Sequence, residues 1–151
     1  LREPLEGVKN ADIIVINGDK KPEFEKKLKN VSNNIKIFYS KYKLNIKKLN
    51  KKKNYLAFAG IGNPVNFFNL LKKKNIKVKK TLSFPDHYNF SKDELTKICK
   101  IAEENKLEIL TTEKDYLRIK RLGFKKINFA PISLEVANAQ KLIKEIKILL
   151  Q

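Results

Sequence analysis

One histidine occurs in 151 residues, and it directly follows an aspartate. Asp86 and His87 lie in the stretch FPDHYNF, between a strand-like and a helix-like segment. An imidazole can take or give a proton near neutral pH, and an adjacent carboxylate can fix its tautomer. His87 is therefore a candidate general base, or a group that holds and orients one, with Asp86 as its lesser partner. A plainer reading stands beside this one: Asp86 and His87 make loop hydrogen bonds while Phe84 and Phe90 anchor the two ends.

Two other loops carry chemistry-bearing residues. Thr112, Glu113, Lys114 and Asp115 belong to the run TTEKD at a strand-to-helix turn. Thr112 suits a helix cap, and Glu113 and Asp115 suit a first turn, where the helix dipole favours negative charge. Lys114 is the cation there that could meet an anion. The run GIGNP has two glycines that permit a tight turn, and Asn63 followed by Pro64 suits a helix start. It is not a phosphate cradle of the G-x-x-x-x-G-K-[ST] type, since no glycine in the chain is followed by lysine. Near the start, LREPL pairs Arg2 with Glu3 before Pro4.

The elements that must position these residues alternate from Tyr55 onward. YLAFAG, IKVKKTLSF, LEILTT and KINFAPIS read as four strands. Between them, GNPVNFFNLLKKKN and SKDELTKICKIAEEN read as helices, the second opening on a capping box of Ser91 and Glu94. Leu95, Ile98, Cys99 and Ala102 share one face of that helix, with Cys99 as a small core residue. A short helix over EKDYLRIKRLG can end at Gly123, and ANAQKLIKEIKILL closes the chain with Ala139, Leu142, Ile143, Ile146 and Leu150 turned inward. Repeated strand–helix alternation predicts a mostly parallel sheet with helices on both faces, a three-layer α/β/α arrangement. Ligands of such sheets gather at the carboxyl ends of the strands, and GIGN, FPDHYNF and TTEKD each follow a strand. All three loops are expected on one rim.

Before Tyr55 the pattern differs. ADIIVING is a strand ending at Asn17 and Gly18, NIKIFYSKYKL alternates like a half-exposed strand, and IKKLNKKKN reads as a basic linker. Residues up to about 45 are thus expected to belong to another unit. The chain contains no methionine and opens on LREPLEG, which predicts a chain without its natural start.

The formal charge of +18 points toward an anionic partner: nucleic acid, a phospholipid surface or a phosphorylated substrate. Of 34 basic residues only Arg2, Arg118 and Arg121 are arginine. Nucleic-acid readers favour arginine for its bidentate fork, whereas Lys, Asn and Ile share A/T-rich codons. Base composition thus accounts for much of the charge. A single cysteine allows no internal disulfide and fits a reducing compartment. No run approaches the ~18 consecutive apolar residues of a membrane span.

In order, LREPLEGVKNADIIVING, AFAGIGNPVNFF, FPDHYNF and TTEKDYLRIK resemble the tetraacyldisaccharide 4′-kinase family, the lipid A 4′-kinases, and the resemblance spans essentially the whole chain. Each motif alone is weak, and the ordered set is specific. The resemblance implies a peripheral enzyme on the cytoplasmic side of the bacterial inner membrane. That enzyme moves the γ-phosphate of ATP to the 4′-hydroxyl of a tetraacyldisaccharide 1-phosphate, giving lipid IVA for lipid A. It implies that residues 1–34 end a P-loop kinase domain, 35–54 form a short two-stranded linker, and 55–151 form a C-terminal α/β domain. ATP and Mg²⁺ would then be held by an upstream half, and this chain alone would be inactive. His87 matches the family's histidine that partners an upstream catalytic aspartate. Arg2 and Glu3 match an Arg-Glu pair expected to organise the active site, and Glu113, Lys114 and Asp115 match a largely architectural T-E-K-D. Tyr88, Asn89 and Tyr116 depart from the family pattern. The partners implied are a glycolipid and an anionic membrane surface, with neither nucleic acid nor an obligate protein partner expected. Two other readings compete: a basic α/β nucleic-acid-binding module, and a stand-alone nucleotide-dependent enzyme using the Asp86–His87 loop.

Overall fold

The structure, a computed structural model, describes residues 4–45 and 49–151. Two compact units emerge, one of Leu1–Tyr42 with Leu134–Gln151 and the other of Lys43–Ser133.

The second unit holds a four-stranded, all-parallel sheet of β3 (Asn54–Ala59), β4 (Lys77–Ser83), β5 (Glu108–Thr112) and β6 (Ile127–Ala130), in the spatial order β4-β3-β5-β6. Helices α2 (Pro64–Lys73), α3 (Lys92–Glu104) and α4 (Glu113–Ile119) connect the strands. Alternation along β3 builds two cores. Tyr55, Ala57 and Ala59 face α2 through Phe67, Phe68 and Leu71. Leu56 and Phe58 face α3 and α4 through Leu95, Ile98, Ala102 and Ile119. Both faces of the sheet are therefore covered, which is why β3 reads as an almost unbroken apolar run. The expected helix starts are present: Asn63 accepts the Asn66 N–H at 3.1 Å, and Ser91 with Glu94 forms a complete capping box. Gly123 ends the 3-10 turn after α4 at φ 84°.

In the first unit, β1 (Ile13–Asn17) pairs parallel with β2 (Lys36–Leu44). The third strand of that sheet is β7 (Ile132–Val136), beside β2. The expected single strand over KINFAPIS is thus two strands in two sheets. Pro131 marks the break, because it has no N–H to contribute to a ladder. Helix α1 (Pro22–Val31) lies where the sequence reading assigned no element. Its signals were Pro22 at the first turn, acidic Glu23 and Glu25, and apolar Phe24, Leu28 and Val31 on one face.

Helix α5 (Ala139–Leu149) forms as expected, but its inward face does not. Of Ala139, Leu142, Ile143, Ile146 and Leu150, only Leu142 is half-buried, and the rest are exposed. Within the helix only Leu142 and Glu145 are half-buried, and Glu145 pairs with Lys36 of β2.

Phe58 is fully buried, with its ring 5.3 Å from Phe90 and 6.3 Å from Phe84. Phe58→Ala should therefore lower unfolding stability by about 3–5 kcal/mol, measured by urea denaturation.

Candidate functional site

In the order β4-β3-β5-β6 the connection from β3 runs to β4 on one side and the connection from β5 runs to β6 on the other, which puts a crevice beyond the carboxyl ends of β3 and β5. The loops after β3, β4 and β5 meet there, as the sequence led us to expect. Their junction is a single buried carboxylate. Asp115 is fully buried and accepts the Gly60 N–H at 2.9 Å and the Thr112 hydroxyl at 2.7 Å. The Asp115 N–H returns to the Thr112 hydroxyl oxygen at 3.1 Å, so Thr112 both caps α4 and binds its first turn. Arg118, one turn on, donates to the other Asp115 oxygen at 3.4 Å. A carboxylate removed from water needs such a set of donors.

Gly60 suits this closeness. A Cβ at that position would lie 3.0 Å from the Tyr88 Cβ, 3.4 Å from an Asp115 oxygen and 3.4 Å from the Phe90 ring. One glycine thus touches all three loops.

The FPDHYNF loop is fixed from beneath by rings. Phe84, Tyr88 and Phe90 pack on one another with centroids 4.9 to 5.1 Å apart, and Phe58 supports them. The Tyr88 hydroxyl donates to Glu94, whose carboxylate also takes the Ser91 N–H and hydroxyl at 2.9 Å each. The Tyr88 hydrogen bond is the main cause, and the Ser91 bonds the next, of a Glu94 carboxyl held below the usual range; the same bond pushes the Tyr88 phenol up.

His87 stands at the crest with φ 59°, a left-handed conformation uncommon outside glycine. Asp86 stabilises that turn by accepting the His87 N–H at 3.0 Å, and its other oxygen lies 3.8 Å from the ring Nε2. The group on the other ring nitrogen is Arg118, whose Nη2–H donates to Nδ1 at 3.0 Å. Lys114 approaches Nε2 at 3.4 Å. The His87 side chain is 70% exposed, so its neighbours orient it without enclosing it.

The structure therefore brings together His87, Asp86, Lys114 and Asp115. Asn63 stays at the cap of α2, and Glu113 is exposed in the first turn of α4. Arg2 and Glu3 lie outside the described residues. Sequence reasoning missed Arg118. Its signals were the scarcity of arginine and its i,i+3 spacing from Asp115. Two family departures have local reasons. Tyr88 completes the ring cluster, and Tyr116 packs on Phe129 with centroids 4.9 Å apart. Asn89 has none that the structure explains.

A family model described as tetraacyldisaccharide-1-P 4′-kinase (LpxK) matches residues 1–151. The tetraacyldisaccharide 4′-kinase of Pelagibacter ubique is 34% identical over 149 residues, covering 97% of this chain and 48% of its own length. That of Bartonella quintana is 48% identical over 67 residues, 44% of this chain and 20% of its own. Among solved structures, the apo form of LpxK from Aquifex aeolicus in complex with ATP is similar in fold, with a TM-score of 0.59 at 24% identity over 97% of this chain and 45% of that one. The chain thus spans about half the length of the Pelagibacter relative.

Two outcomes follow from the geometry. Gly60→Ala must push the Tyr88 Cβ back by a few tenths of an ångström, in a loop held by packed rings, and should cost about 1–3 kcal/mol in thermal unfolding, as overpacking does. The depressed Glu94 carboxyl contributes fully above the ordinary glutamate value of about 4.3, and the contribution is lost as pH falls through the lower folded value. Melting temperatures taken from neutral to about pH 3 should therefore fall less steeply in Glu94→Gln than in the wild type.

Proposed function

Because the chain belongs to the tetraacyldisaccharide-1-P 4′-kinase family, we propose that it forms the second half of a lipid kinase that transfers the γ-phosphate of ATP to the 4′-hydroxyl of a tetraacyldisaccharide 1-phosphate. The product is lipid IVA, on the route to lipid A. The observation that carries this reading is the place of His87. It stands exposed at the carboxyl-end rim of the sheet, in a conformation fixed by Asp86 and the rings below it.

Phosphoryl transfer asks the protein for positioning and charge stabilisation more than for covalent chemistry. A sugar hydroxyl becomes a competent nucleophile when its proton is taken, and an Asp–His pair can do that. In this proposal His87 is the half of the pair that this chain supplies, and the aspartate comes from the upstream half. Arg2 and Glu3 would organise the same centre, while Asn63, Glu113 and Asp115 hold the loops and Lys114 adds positive charge at the rim. Among the described residues no three His, Cys, Asp or Glu side chains cluster to hold a metal ion. The proposal assigns Mg²⁺, with ATP, to the upstream half. The isolated chain is accordingly proposed to be inactive.

For the longer enzyme we propose that 1–34 end the kinase domain, 35–54 link, and the second domain begins at 55; residues 134–151 group with the first compact unit. Among the described residues no helix is long and apolar enough to cross a membrane. A basic enzyme acting on an amphiphile suits peripheral contact with an anionic bilayer, here the cytoplasmic face of the bacterial inner membrane.

The test joins the chain to its upstream half and follows labelled γ-phosphate from ATP into the disaccharide lipid. Against an active parent, His87→Ala should lose about 10²–10⁴-fold in rate, the usual weight of a general acid–base group. A folded parent without transfer would sink the kinase reading, and an active parent indifferent to the substitution would return His87 to a loop anchor.

A further inference from the structure

We propose that Arg118 is the positioning residue of His87, a guanidinium fork that ties the ring to the buried carboxylate of Asp115 and fixes which ring nitrogen faces the reactants. The argument begins with donors. Arg118 has N–H groups and no acceptor, so the Nδ1 that it meets at 3.0 Å must accept. In the neutral ring the proton then sits on Nε2. Lys114, also a donor only, approaches Nε2 at the longer distance of 3.4 Å, and one neutral imidazole cannot accept at both nitrogens. Arg118 prevails because it is anchored. Its Nη1–H reaches Asp115, which is fully buried, and its side chain is only 26% exposed. Lys114 is exposed and stands at the longer distance, on a flexible stem.

Only arginine suits this place. Its planar fork presents two N–H edges to two acceptors at once, one on α4 and one on the loop after β4. A lysine would bring the same charge as a point on a flexible stem. The sequence places one of its three arginines here among 34 basic residues.

The consequence for chemistry rests on the proposed kinase activity. With Nδ1 occupied and Nε2 protonated, neutral His87 offers a hydrogen-bond donor at the rim. Asp86 does not take that bond, its oxygen being 3.8 Å away. His87 would orient the carboxylate contributed from upstream, and that carboxylate would accept the proton of the sugar hydroxyl.

Because the chain has one histidine, nuclear magnetic resonance of its ring nitrogens reads this arrangement without a kinase assay. In the isotope-labelled chain, at a pH where imidazole is neutral, the wild type should show a single tautomer with the proton on Nε2. The Arg118 guanidinium should give resolved N–H signals with a cross-peak to the ring. Arg118→Lys should shift the ring nitrogens to values averaged between the two tautomers, while amide signals outside the three loops stay in place. His87→Ala should merge the Arg118 signals. A wild-type ring protonated on Nδ1 would overturn the proposal even if no variant folded. So would ring shifts identical in the wild type and Arg118→Lys. Either result would leave the kinase assay, and the reading it tests, untouched.

Discussion

A fully buried aspartate holds the rim together. Asp115 receives a backbone N–H from the loop after β3, a hydroxyl from the end of β5, and a guanidinium that passes on to the loop after β4. Removing a carboxylate from water is costly, and only a geometry that supplies all its donors offsets that cost. The three strand ends are therefore not free to drift, since any separation leaves a buried charge short of partners. Among the described residues every buried side-chain nitrogen and oxygen has such a partner.

That constraint explains several choices that look unrelated in the sequence. Glycine suits position 60 because a methyl group there would press to 3.0 Å on the Tyr88 Cβ and touch Asp115 and Phe90. Thr112 is a hydroxyl residue because it must cap α4 and donate to Asp115 at once. Thr111 beside it is buried, and its hydroxyl donates to the Phe58 carbonyl at 2.9 Å, which ties β5 to β3 just below the junction. Phe58 in turn carries the ring cluster under the histidine loop. Core packing and site geometry thus share the same residues.

Much of this was legible in the sequence because it rests on local rules. The caps at Asn63, Ser91 and Thr112, the buried run at β3 and the placing of three loops on one rim all follow from periodicity and capping chemistry. What was not legible depends on contacts between distant residues. The tautomer partner of His87 is Arg118, thirty-one positions away, and not the adjacent Asp86, whose carboxylate turns to the backbone. Adjacency in sequence suggested one partner, and the left-handed turn at His87 supplied another. Strand β7 was hidden because its apolar pattern runs on from β6, and only the missing N–H of Pro131 marks the change of sheet. For α5 the period predicted the apolar face correctly, but period alone cannot say how much partner surface exists to cover it.

The exposure of His87 then becomes informative. Burial is the usual way to hold a side chain in place, yet this ring is mostly in solvent while its backbone, its Nδ1 and the floor beneath it are all fixed. Such a group has already lost its conformational freedom before it meets a partner, so the entropic cost of ordering it is carried by the folding of this unit. A half-site preorganised in this way suits the proposed division of labour, in which the upstream half supplies the carboxylate. Water would leave only when the second half arrives, and the Nε2–H would then strengthen in a drier setting. Burying the ring within this unit would have made it rigid too, but out of reach of any reactant held elsewhere. Tethering it from behind by Arg118 keeps both rigidity and access, and that requires the buried carboxylate to which the arginine is tied.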